Sequence, residues 1–151
     1  AAVGLVQLGR LPGLVERRRW LGRRYQELLA DIPGLAMAGD PPHGTTNYQS
    51  FWVVLPDDFP AGQGAVLQAM LDRGIAARPG IMAAHLEPAY GDHPVRPLPV
   101  TERLARQGII LPLFPQMSEA DQDRVAGVLI GLAGRRASAR PALVRTGRSW
   151  S

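Results

Sequence analysis

The sequence predicts an α+β domain of two layers, with helices packed on a small, largely antiparallel sheet. Three observations carry that prediction. Segments with helical apolar spacing alternate with short runs rich in branched and aromatic residues, in the order helix, strand, helix, strand, loop, helix, strand, helix. The 151 residues are 46% hydrophobic and 20% charged, which suits one buried core. Two connections, 39–46 and 81–98, are long for a compact domain, and loops of that length tend to carry function or to be covered by a partner.

Val3, Leu5, Val6 and Leu8 open the chain as a short apolar helical run with no Ser, Thr, Asp or Asn ahead of them to cap it. With no initiating Met, the missing cap favours a piece cut from a longer chain. Pro12 either begins a new helix or kinks a continuous one. Leu14, Leu21, Tyr25, Leu28 and Ile32 then follow spacings of three, four or seven, which is one helical face ending at Pro33-Gly34. Arg17, Arg19, Arg23 and Arg24 are interleaved with them and read as a solvent-washed outer side.

Residues 39–46 are a loop by composition, and Asn47 to Leu55 is strand-like, with Phe51, Val53 and Leu55 on one face. Val66, Leu67, Met70 and Leu71 mark a short helix closed by Gly74. Ile75 to Arg78 reads as a strand broken by Pro79-Gly80. Residues 81–98 carry no clear period but hold His85, Glu87, Tyr90, Asp92, His93 and Arg96. Val100 to Gln107 predicts a helix closed by Gly108, and Ile109 to Leu113 a buried strand. Ser118-Glu119-Ala120-Asp121 has the form of a capping box. Val125, Val128, Leu129 and Leu132 continue that helix to Gly134. The domain is thus expected to span 1–134, followed by a disordered tail over 135–151.

Composition excludes several classes of chemistry. There is no cysteine, so disulfides, thiolate catalysis and Cys-based zinc sites are out. No stretch approaches the roughly 18 consecutive apolar residues of a membrane span. The first residues also lack the pattern of a signal peptide, so a cytoplasmic protein is expected. All 17 basic residues are Arg and none is Lys. A Schiff base through a side chain is therefore unavailable, because the guanidinium stays protonated and is a poor nucleophile. The formal net charge of +4 comes from the tail, where Arg135, Arg136, Arg140, Arg145 and Arg148 meet no acid. Residues 1–134 are close to neutral, which weakens an alternative reading of the chain as a non-catalytic module binding nucleic acid or an anionic surface through its tail.

The densest polar segment runs from Gly74 to Tyr90, with Arg78, His85, Glu87 and Tyr90 on irregular backbone after a strand. A metal site would use His85, Glu87 and His93, but the spacing matches no strong zinc pattern, and no metal is expected. Neither a G-x-S-x-G elbow nor a phosphate-binding glycine loop occurs. From the residues alone, His85 is as readily a satisfied loop histidine as a ligand-facing one. Arg78 is equally a strand-end residue paired with a surface acid.

Four stretches in order resemble the DegT/DnrJ/StrS family of sugar aminotransferases. They are Ala1 to Leu11, the Arg-rich helix ending Tyr25-Gln26-Glu27-Leu28-Leu29, the Gly74–Tyr90 segment, and Leu111-Pro112-Leu113-Phe114-Pro115-Gln116-Met117-Ser118-Glu119-Ala120-Asp121-Gln122. Together they cover roughly residues 1–133. The resemblance implies the C-terminal small domain of a fold-type-I enzyme that uses pyridoxal phosphate and works as a homodimer with active sites at the subunit interface. It implies transfer of an amino group, commonly from glutamate, to a keto group of a nucleotide sugar, in polysaccharide, surface-glycan or glycosylated-metabolite biosynthesis. In that family the Schiff-base lysine and most cofactor contacts lie upstream of the position numbered 1 here, so no catalytic or cofactor-binding residue is expected in this chain, and by itself it should be inactive. Two of its residues map onto the family's Pro-x-His motif and the aromatic after it: His85 and Tyr90, with Ala83 and Ala84 in place of the usual Pro and Leu. The resemblance thus places His85 at the substrate entrance, as a donor to a sugar hydroxyl or phosphate. Arg78 could meet the diphosphate. Tyr48 either faces the cleft or packs into the core, the second being the simpler reading.

Overall fold

The computed structural model describes residues 2–90 and 96–138, with side chains described as far as residue 134. It has four α-helices, four short strands and two single turns of 3-10 helix among those residues. Helix α1 (Ala2–Leu29) runs unbroken through Pro12, so this proline neither starts nor ends a helix. Residues 2–13 are exposed throughout, and Val3, Leu5, Val6 and Leu8 keep 61–76% of their surface. Packing begins at Leu14, and Leu21, Tyr25 and Leu29, four residues apart on one face, are fully buried. The helix stops three residues short of Ile32, which turns inward all the same and is 6% exposed. Gly34, at φ +74°, makes the bend that L side chains resist.

The sheet has the order β1-β2-β4-β3, antiparallel throughout, with β1 Ala36–Met37, β2 Phe51–Val54, β3 Arg78–Pro79 and β4 Gly108–Leu111. Phe51 pairs with Leu111 and Val53 with Ile109. Successive side chains on a strand point to opposite faces, so these four form one buried face, under α1, α2 (Gln63–Leu71) and α4 (Glu119–Ser138). Each such side chain contributes about 1.5–3 kcal/mol by leaving water. Trp52 looks the other way, toward α3 (Pro99–Gln107) and the backbone of Gly80 and Gly108. The expected two-layer α+β architecture is therefore present, with α3 added behind the sheet.

Several boundaries differ from the expectation, each for a local reason. The strand expected from Asn47 begins only at Phe51. The Tyr48 N–H donates to Thr46 Oγ1 and the Gln49 N–H to Asn47 Oδ1, so side chains hold residues 47–50 in turns. Tyr48 itself sits at φ +47°. The strand expected at Ile75–Arg78 lies at Arg78–Pro79, because the Ile75 N–H is taken by the Met70 carbonyl as α2 closes over Gly74 (φ +69°). Pro79 has no N–H to give, which an edge strand tolerates. Strand β1 carries no signal of its own at two residues. The last strand stops at Leu111. The α4 backbone continues four residues past Gly134, to Ser138, while the tail expected to be disordered lies, from 139 on, outside the described residues.

The capping box at the start of α4 forms as its spacing suggests. The Asp121 N–H donates to Ser118 Oγ at 3.1 Å, and the Ser118 N–H and hydroxyl both donate to Asp121 Oδ2. The arginine-rich side of α1 is not simply washed by solvent. Arg17 donates to the carbonyls of Pro115 and Met117 and lies 4.4 Å over the Trp20 ring. Arg24 pairs with Asp123 at 2.8 Å, and Arg19 with Asp40 at 2.8 Å. These arginines tie α1 to the entry of α4 and to the 40–46 loop. Among the described residues, no helix is long and apolar enough to cross a membrane.

Candidate functional site

The polar segment after β3 is organised by backbone first. Gly80 passes so close to the sheet that a Cβ there would lie 2.8 Å from the Trp52 ring and 3.2 Å from the Leu104 carbonyl. Its N–H donates to the Gly108 carbonyl at 2.8 Å, and Gln63 Nε2 donates to the same oxygen at 2.6 Å. This close approach, which suits glycine, delivers the chain to Ala83, 3% exposed. Two 3-10 turns follow, Ala84–Leu86 and Pro88–Tyr90.

His85 stands on the first turn with its side chain 13% exposed. Its Nε2 lies 3.4 Å from Oε1 of Glu102 on α3, at the long end for a hydrogen bond. The same carboxylate accepts the Leu98 N–H at 3.1 Å and an Arg106 N–H at 3.4 Å. The Leu98 N–H above all, then His85 and Arg106, hold the Glu102 carboxyl below the usual carboxylate range, so it is ionised near neutral pH. Glu102 escaped the sequence reading. A first-turn acid three residues after a proline at the helix start was the available signal, but that pattern speaks of capping and says nothing of a histidine 17 residues upstream.

The remaining expected site residues divide. Tyr90, half exposed, closes the second turn beside the His85 turn. Arg78 is exposed on edge strand β3, opposite Ile110, and lines a small recess of about 130 Å³ with Gln49 and Ser50. His85 and Tyr90 do not line that recess. The reading of Tyr48 as facing a cleft is corrected: its ring is buried at 3% exposure, stacked 6.0 Å from Phe51 and pressed on Gly22 of α1. A positive φ at the end of the loop turns the side chain inward. His93, needed for the metal reading, lies outside the described residues, and among those described no cluster of three His, Cys, Asp or Glu could hold a metal.

A larger depression, about 810 Å³, lies elsewhere. The end of α1, the 56–60 loop and the last turns of α4 form it, with Leu28, Ile32, Phe59 and Ile130 in its lining. It is mainly apolar and holds none of the four expected site residues, so size alone does not mark the place where a polar sugar would bind.

Comparison with known proteins agrees with the fold and with the order of these segments. Residues 1–130 match the DegT/DnrJ/EryC1/StrS aminotransferase family. A dTDP-4-dehydro-2,3,6-trideoxy-D-glucose 4-aminotransferase of Saccharopolyspora spinosa is 35% identical over 127 residues, which is 83% of this chain and 32% of that protein. The crystal structure of the aminotransferase TlmJ from Streptoalloteichus hindustanus superposes with a TM-score of 0.76 at 32% identity, over 89% of this chain and 36% of its own. DesI, solved in the presence of its TDP-sugar product, gives a TM-score of 0.79 at 33% identity, over 90% and 36%. The fold, with its helices over an antiparallel sheet and the His85 turn beside α3, is thus that of a class of sugar aminotransferases. The chain belongs to the DegT/DnrJ/EryC1/StrS aminotransferase family, and it spans about a third of the length of the relatives it matches.

Proposed function

We propose that this chain is the C-terminal small domain of a pyridoxal-phosphate-dependent aminotransferase that moves an amino group from an amino acid, glutamate by preference, to the keto group of a nucleotide-linked sugar. The observation that carries the reading is the match itself: 35% identity to a dTDP-sugar aminotransferase across most of this chain but a third of that enzyme. Pyridoxal phosphate supplies an electron sink and a carrier for the amino group. The residues of this chain do not fit its covalent attachment, since none of them is a lysine. The anchor therefore has to come from another part of the enzyme, and this segment alone should be inactive.

What this chain contributes under the proposal is substrate placement. His85, fixed by Glu102, would stand at the substrate entrance with Tyr90 beside it, and Arg78 would offer a guanidinium to the diphosphate. The exposed apolar turns of α1, Val3 to Leu11, suit burial against the remainder of the enzyme or its second copy in a homodimer. A cytoplasmic enzyme of polysaccharide or glycosylated-metabolite biosynthesis completes the reading.

The test begins with the coding sequence upstream of Ala1. The complete product is then expressed with pyridoxal phosphate and supplied with glutamate and a dTDP-4-keto sugar, and 2-oxoglutarate release is followed. Cofactor absorbance, a borohydride-trapped lysine and glutamate-dependent amination are expected. A complete product that stays colourless and transfers no amino group would overturn the proposal.

A further inference from the structure

The two ring nitrogens of His85 have unlike surroundings. Nε2 meets Glu102 Oε1 at 3.4 Å, and among the described residues Nδ1 has no hydrogen-bond partner. Glu102 is in turn held from its own helix, by the Leu98 N–H on Oε1 and by Arg106 on Oε2. It is a fixed post more than a mobile side chain, and its side chain is 22% exposed. An ionised carboxylate only accepts, so its contact with His85 is attractive when Nε2 carries the proton. In a neutral imidazole that assignment leaves Nδ1 as a bare lone pair, an acceptor.

We propose that Glu102 is a positioning residue for His85: it holds the ring with Nε2–H turned to α3, so that the neutral form of His85 offers Nδ1 to a hydroxyl donor and not to a phosphate oxygen. The inference rests on the reading of His85 as substrate-facing, and it sharpens that reading. A phosphate oxygen is an acceptor and finds no proton on Nδ1 of the neutral ring, whereas a sugar hydroxyl donates to it. Orientation by an outer carboxylate is the same device that fixes the tautomer of histidines in metal sites.

Ring-nitrogen spectroscopy tests the positioning directly. In the 15N-labelled chain at a pH of about 8, above the ordinary imidazole range, long-range proton–nitrogen correlation should show Nε2 protonated and Nδ1 bare. The His85 signals are identified by their loss in His85→Gln. In Glu102→Ala the two nitrogen shifts should move toward each other as the second tautomer gains population. Glu102→Gln keeps an oxygen that can accept from both Leu98 and Nε2, and should retain the separation even if the alanine variant folds poorly. Arg106→Ala should leave the tautomer unchanged. Protonated Nδ1 in the unmodified chain, or unmoved shifts in a folded Glu102→Ala, would overturn the assignment.

Recognition is read in the complete aminotransferase. Both Glu102→Ala and His85→Gln should raise KM for the nucleotide sugar about tenfold, the worth of one hydrogen bond to a well-placed partner, with kcat nearly held. Inhibition by dTDP alone should be unchanged, because the diphosphate is not the group recognised. If the shifts respond to Glu102 but His85→Gln leaves KM alone, the substrate-facing reading fails and the recognition claim with it. If His85→Gln raises KM while the shifts ignore Glu102, that reading stands and the positioning role is gone. Equal weakening of dTDP and of the sugar would assign His85 to the phosphate.

Discussion

Replacing Gly22 by alanine should destabilise this domain although alanine is the better helix former. In an exposed helix interior Gly→Ala gains about 1 kcal/mol. At Gly22 the new Cβ would lie 2.8 Å from Cδ1 and Cε1 of Tyr48 and 2.9 Å from Cγ. Those atoms belong to the base and side of the ring, not to the far end of a flexible chain. The ring has little room to retreat, being buried and stacked on Phe51. Overpacking of this kind costs about 1–3 kcal/mol, so Gly22→Ala should show a net loss of up to about 2 kcal/mol. Gly127 of α4 supplies the control: it is exposed, with nothing within 4 Å of its virtual Cβ, so Gly127→Ala should gain about 0.5–1 kcal/mol. Urea titrations of both variants measure the gap. In a Tyr48→Ala background the penalty at Gly22 should disappear, a coupling of at least about 1 kcal/mol between the two sites. A Gly22→Ala variant as stable as Gly127→Ala would refute the packing argument.

Three further outcomes follow from the same contacts. Asp40, Glu102 and Asp121 are held below the ordinary carboxylate range, chiefly by the Thr46 N–H, the Leu98 N–H and the Ser118 hydroxyl respectively. Because their folded values lie under the unfolded ones, their stabilisation is complete above the unfolded value of about 4 and lost as pH falls through the folded values. The urea midpoint should therefore fall below about pH 4, and the combined Asp40→Asn, Glu102→Gln, Asp121→Asn variant should show a shallower acid slope; an unchanged slope would contradict this. Gln122 is fully buried, donates to the Leu21 carbonyl at 2.9 Å and leaves its Oε1 without a partner among the described residues. Exchange for Met removes that orphan, so calorimetry should show a cost under about 1 kcal/mol, and a loss of several would mean the oxygen is satisfied in solution. Arg17→Ala should cost about 1–2 kcal/mol in the same urea assay, for two charged hydrogen bonds to the Pro115 and Met117 carbonyls; a neutral result would return this arginine to the solvated face the sequence suggests.

Much of the architecture was legible because it rests on local chemistry. Alternation at Phe51, Val53 and Leu55 needs no partner to declare a buried face, and Ser118 with Asp121 closes its own helix start. Gly74 stops α2 because its backbone enters the left-handed region. Less legible were elements that exist only through pairing, such as β1 and β3, two residues each, made strands by β2 and β4. Site residues followed the same division. His85 stood out as a polar residue in an aperiodic loop, yet nothing in its neighbourhood of sequence named the carboxylate it faces.

The sequence by itself determined the class of fold, the kinship to sugar aminotransferases and the absence of a lysine side chain from these 151 residues. These are properties of residue type, spacing and order. Tertiary structure alone decided that Tyr48 belongs to the core, that Arg17, Arg19 and Arg24 brace α1, and that His85 is met by Glu102. Each of those depends on residues brought together from distant stretches of chain. A side chain's partner across such a distance is set by how helices close over the sheet, which no local pattern records.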